Sequence, residues 1–110
     1  METIEVLRGA RTLLAGSDAW RRHAFAGTER RENCSLMSEG ATCFCLAGAL
    51  YRVMGVRPPE NARAIGGAVV ALGFRNRQRL IEWNDSKSRT HAHVLERLDN
   101  AIEKLEASNA

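Results

Sequence analysis

Thr42-Cys43-Phe44-Cys45-Leu46-Ala47-Gly48-Ala49-Leu50-Tyr51-Arg52-Val53-Met54 is the stretch on which the fold turns. Its first nine residues carry no charge and offer apolar groups on every side, so a helix drawn through it is buried nearly all round rather than along one stripe. The expected element is a central core helix over residues 41–54, with Ser38 or Thr42 as N-cap and Gly55 ending it in the C′ position.

Working outward, residues 3–15 read as a first helix, with Ile4, Val6, Leu7, Ala10, Leu13 and Leu14 at three- and four-residue spacings and Gly16 placed to end it. Ser17-Asp18 suits the cap of a short helical piece over 17–24 that carries Trp20 as a core anchor, followed by exposed charge at Arg21, Arg22 and His23. Residues 26–40 lack apolar periodicity and read as a long polar loop, of a length that in compact domains is often functional or mobile. Downstream, Pro59 suits the first turn of a helix over 59–73, carried by Ala62, Ile65, Val69 and Leu72. Gly66-Gly67 weakens that helix by about 1 kcal/mol per glycine, and would let another backbone pack close. Residues 75–79 form a polar connector, 77–83 a short helical piece, and 74–84 is where a small hairpin would compete. Trp83-Asn84-Asp85-Ser86 has turn chemistry, because Asn, Asp and Ser bond their own nearby backbone. Thr90 then caps a last helix over 90–107, with Leu95, Leu98, Ile102 and Leu105 on one face. The expected fold is therefore all-α: four main helices packed around the buried helix at 41–54, in one domain spanning 1–110.

Composition sets the outer limits. A chain of 110 residues, 45% hydrophobic and 26% charged, supports one core but not a catalytic domain plus a separate binding domain. The longest apolar run falls short of the roughly 20 residues a membrane span needs. The start Met-Glu-Thr-Ile-Glu has no basic, apolar secretory pattern, so a cytoplasmic site is expected. Three cysteines, an odd number, point to reduced thiols rather than a disulfide framework. The net charge of +3 is unevenly spread: residues 57–89 hold seven Arg or Lys against three acids, whereas 90–110 hold two against four.

Three stretches carry a resemblance. Cys43-Phe44-Cys45-Leu46-Ala47-Gly48-Ala49-Leu50, Ile81-Glu82-Trp83-Asn84-Asp85, and the run from Arg89-Thr90-His91 to Ile102 resemble a family of small bacterial and phage-encoded proteins of unknown function, over most of the chain and with Trp20 in register. Such proteins show Cys-x-Cys-Leu-x-Gly-Ala-Leu, a Trp-Asn-Asp turn, and an Arg-Thr helix start with an acidic residue three positions after the threonine. Here that position is His93, which removes the acidic partner of a capping box. The resemblance implies a helical domain in a phage or mobile-element setting, where inhibition of a host defence system is one expected use. It implies no activity.

Three constellations carry chemistry. Trp83, Asn84, Asp85, Arg89, Thr90 and His91 gather an aromatic face, amide and carboxylate acceptors, an Arg donor and a helix N-terminus. That set suits a small anionic or nucleotide-like ligand, and its bland reading is a turn, a cap and a core plug. Cys43 or Cys45, near the start of a buried helix, with His91 or His93 as base and Asp85 or Asn84 to orient it, meets the type requirement of a cysteine-dependent hydrolase or transferase. On a helix, however, two residues apart turns the cysteines about 200° away from each other, so they do not clasp one metal ion together. Arg75, Arg77 and Arg79, with Lys87, form a basic surface whose ordinary reading is solvated charge; with few aromatics and no recognition helix, nucleic acid is not the expected partner. The leading expectation is a non-enzymatic binding module for a protein partner or a small anion, without cofactor or metal, in which the acidic last helix and the basic middle segment would also suit a homodimer.

Overall fold

The computed structural model describes residues 1–58 and 62–108, and the architecture is predominantly helical with one small sheet. Helix α1 spans Thr3–Leu13, opened by the Glu2 amide donating to the Glu5 carboxylate, and buries Ile4, Val6, Leu7 and Ala10 of the expected face, with Leu14 buried just past its end and Leu13 partly buried. No helix forms over 17–24. There the chain turns at Ser17-Asp18, bridges to Phe44 at Trp20 and bends again from Arg22; the Phe44 amide donates to the Ala19 carbonyl and its carbonyl accepts from the Arg21 amide. These long-range bonds use the backbone groups that a local helix would have needed.

The expected polar loop contains strand β1, Ala26–Gly27, paired antiparallel with β2, Cys43–Phe44, in the register Ala26 opposite Phe44 and Gly27 opposite Cys43. An all-α reading is thus corrected by a two-stranded sheet. The central helix is correspondingly shorter. Helix α2 spans Leu46–Met54, and its N-cap is Cys45, whose Sγ accepts from the Gly48 amide at 3.2 Å, rather than Ser38 or Thr42. An apolar run without charge fits a buried strand as well as a buried helix, and pairing with the loop selects strand for its first residues. Gly55, at φ 71°, ends the helix as expected.

A 3-10 turn, Ala62–Ile65, leads into α3, Gly66–Ala71; the expected helix start at Pro59 lies outside the described residues. The Gly66-Gly67 pair admits no backbone. A Cβ on Gly66 would meet nothing within 4 Å, and one on Gly67 would meet the Thr3 hydroxyl. The close approach is at Gly48 instead, where a Cβ would lie 2.0 Å from the Phe25 carbonyl oxygen.

Helix α4, Arg77–Asp85, is capped by the Asn76 side chain, which accepts from the Arg79 amide, and it absorbs Trp83-Asn84-Asp85 into its last turn. That sequence is therefore helix, not turn, and no hairpin forms in this segment. Helix α5, His91–Ser108, buries Val94, Leu98 and Ala101, with Leu95, Ile102 and Leu105 at the edges of the same stripe. Helix α1 packs against α2, α3 and α5, while α2 also meets α4 and the 3-10 turn. Ion pairs Arg11–Asp99 and Arg8–Glu106 tie α1 to α5. The helices are consequently layered through α1 and α2 rather than arrayed around α2 alone. No described helix is long and apolar enough to cross a membrane.

A candidate anion-binding groove

Asn84 is the fully buried polar side chain among the described residues, and it divides the expected site in two. Its Oδ1 accepts from the Trp20 indole N–H at 2.7 Å and from the Leu46 amide at 3.0 Å. Its Nδ2 donates to the Arg21 carbonyl and to Asp85 Oδ1. Every hydrogen-bonding direction of the amide is thereby used, and one of its bonds satisfies a free N–H at the start of α2. Asp85 is held by that contact and in turn accepts from the His23 amide at 2.9 Å, fixing His23 at φ 68°. His91 stacks on Trp20 and its Nε2 lies 2.6 Å from the Leu14 carbonyl oxygen. Asn84, Asp85 and His91 therefore tie the Trp20 segment to α2, α4 and α5. The arginines expected as exposed charge join them. Arg22 packs on Trp20 and donates to the Ser86 and Arg89 carbonyls, and Arg21 bridges the Ala26 carbonyl and Asn33.

Trp83 and Arg89 face the other way. The Arg89 guanidinium packs on the Trp83 ring at 4.1 Å from its centroid and donates through Nε to the Trp83 carbonyl. A second guanidinium, that of Arg97 on α5, packs on the same ring at 4.8 Å and on Phe74 at 4.7 Å, and donates through Nη1 to the Leu72 carbonyl where α3 ends. Gly73, at φ 93°, turns the chain there and brings its Cα side against Arg97 Nη1. Among the described residues neither arginine has a carboxylate partner within ion-pair distance. Partial burial first, and then the neighbouring Arg97 charge, lower Arg89 from the usual guanidinium value. Arg89 nonetheless remains a cation at neutral pH.

Trp83, Arg89 and Arg97 line a groove of about 420 Å³, bounded by Leu72-Gly73 and a stripe of α5 that includes His93, Glu96, Asn100 and Lys104. The stripe follows the three- and four-residue spacing of one helix face. Thr90 accepts the His93 amide on its hydroxyl, while His93 Nδ1 accepts from the Thr90 amide at 3.1 Å. A histidine here does the work of the acidic capping-box residue, so the cap expected to be missing is present. Arg97, Asn100 and Lys104 are additions that sequence reasoning missed, because they sit on the polar face of an amphipathic helix, where solvated charge is the ordinary reading; His93 enters the sequence reading only as a base for the cysteines and as the capping position.

The remaining candidates lie apart. Arg77 donates to the Tyr51 hydroxyl and Arg79 pairs with Glu82, while Arg75 and Lys87 are exposed. Cys43 is buried beside the Thr28 carbonyl. Cys45 is 5% exposed, and burial, more than any neighbouring charge, pushes its thiol up to about 11. The histidine lining its small cavity is His23, with Asp85, whereas His91 and His93 are engaged at Leu14 and Thr90. No group of three or more His, Cys, Asp or Glu among the described residues is placed to hold a metal ion.

Residues 1–104 match the model of a family described as Family of unknown function (DUF6197), and the chain belongs to it. No curated protein and no solved structure matches the chain.

Proposed function

Membership of a family of unknown function hands the chain no activity, and from its own residues we propose a non-enzymatic binding module that holds a small phosphate-bearing anion in the groove between α5 and the end of α3. The observation that carries this reading is the pair of guanidiniums on one indole, Arg89 and Arg97, with no carboxylate to neutralise them. Like charges held side by side destabilise each other, and an anion between them removes that cost. Each arginine is anchored by one N–H only, to the Trp83 or the Leu72 carbonyl, so a fork of donors stays open on both. Stacking on Trp83 and Phe74 holds the forks in place before a ligand arrives, which lowers the ordering cost of binding. Lys104 and the N-terminal end of α5 add positive potential, and the groove is of the size that small ligands occupy.

Isothermal titration with pyrophosphate at low ionic strength tests the reading. The wild-type chain is expected to bind with an affinity that falls as salt is raised. Arg97→Gln should weaken binding at least tenfold, and Arg89→Lys, which keeps the charge but loses the fork, should weaken it less. Absence of binding by a folded wild-type chain, or equal binding by Arg97→Gln, would contradict it.

A further inference from the structure

We infer that the ligand has two chemically different ends, a phosphoryl group on the arginine pair and a base edge with two adjacent N–H donors on Glu96, which is the chemistry of a guanine nucleotide. The inference rests on the groove holding an anion, as proposed above. The groove is longer than a phosphate: from His93 to Lys104 its α5 wall rises through eleven residues, about 16 Å at 1.5 Å each. The two arginines meet on the Trp83 ring, while Glu96 and, one turn on, Asn100 line the α5 wall between His93 and Lys104.

Glu96 is the residue that a simple anion site does not explain. It lines the groove beside Arg97 yet makes no ion pair with Arg97, Arg89 or any other described cation. A carboxylate facing a purely anionic ligand repels it, whereas one facing paired N–H donors accepts both in a bidentate contact. Guanine presents such a pair in its ring N–H and its 2-amino group, with an adjacent carbonyl that the Asn100 amide can donate to. Adenine presents a ring nitrogen lone pair at the corresponding position, which a carboxylate repels.

The test is titration of the wild-type chain and Glu96→Gln with inorganic phosphate, AMP and GMP at one ionic strength. Glu96 is exposed and unpaired, so the variant should fold like the parent. The expected result is GMP bound about tenfold or more tighter than AMP, the discrimination a good bidentate base contact provides. Glu96→Gln should bring the GMP to AMP affinity ratio down to about one. Equal binding of GMP and AMP, or a preference for AMP, overturns the guanine inference while leaving the anion groove standing. Failure of all three probes overturns both. Retention of the GMP preference in Glu96→Gln overturns the role given to that carboxylate.

Discussion

At the scale of single residues, the molecule depends most on Asn84. Its side chain joins segments 38 and 64 positions away in sequence, and truncation would orphan the Trp20 indole N–H and the Leu46 amide in a dry interior. Each orphaned donor costs about 1–3 kcal/mol, so Asn84→Ala should lower unfolding free energy by roughly 3–5 kcal/mol in a urea titration. A loss under about 1 kcal/mol would show that the amide is not the hub described. Cys45 makes a prediction in pH. Its thiol ionises near 11 in the folded chain against 9.0 without burial, so the unfolded chain loses the proton first as pH rises. Stability from this group is complete below about pH 9 and falls through the interval up to about 11, by roughly 2–3 kcal/mol in all. Urea midpoints measured at pH 8 and pH 10.5 should separate more for the wild type than for Cys45→Ala, and an equal separation would refute the shift. The same burial predicts that iodoacetamide at neutral pH labels Cys45 only after denaturation.

At the scale of elements, helix starts and close contacts decide the outcome. Helix α2 passes over the loop at Gly48, and a methyl there would meet a carbonyl oxygen that belongs to the backbone and cannot swing away. Gly48→Ala should therefore cost more than about 2 kcal/mol or abolish folding, while Gly66→Ala, in open space on α3, should be neutral or stabilising by up to about 1 kcal/mol. Thermal melts of the two variants separate these outcomes, and similar melting temperatures would contradict the packing. Legibility followed the same line. Helices α1 and α5 could be read from sequence because each buries one stripe, and that periodicity survives in the residues alone. The start of α2 could not, since Cys43 and Phe44 suit a strand as well as a core helix until a loop partner is known. Trp83-Asn84-Asp85 was misleading for a related reason. Its turn chemistry assumes that the amide bonds locally, whereas Asn84 spends its bonds on distant backbone and on Trp20. Trp83 and Arg89 were legible as a concentrated aromatic and basic group, but Arg97 and Lys104 were not. Which polar residues of α5 line a groove depends on where α3 ends, and that is a tertiary fact.

At the scale of the whole molecule, α5 carries charge on two faces that meet different surroundings. Asp99 and Glu106 are paired with Arg11 and Arg8 of α1, which consumes much of the negative charge of the C-terminal segment. Arg97 and Arg89 have no such partner among the described residues, and both line the groove. The acidic composition of the last twenty residues thus gives no hint that Arg97 meets Arg89 on one indole ring. The two tryptophans report the same division: Trp20 is buried and bonded to Asn84, and Trp83 lies under the two arginines. The most direct measurement is a 15N-correlated NMR titration with pyrophosphate that follows both indole N–H signals and the arginine Nε–H signals. An anion in the groove should move Trp83, Arg89 and Arg97 in a saturable way and leave Trp20 in place. If those three signals stay fixed at millimolar pyrophosphate, or if Trp20 moves with them, the groove is not the binding site.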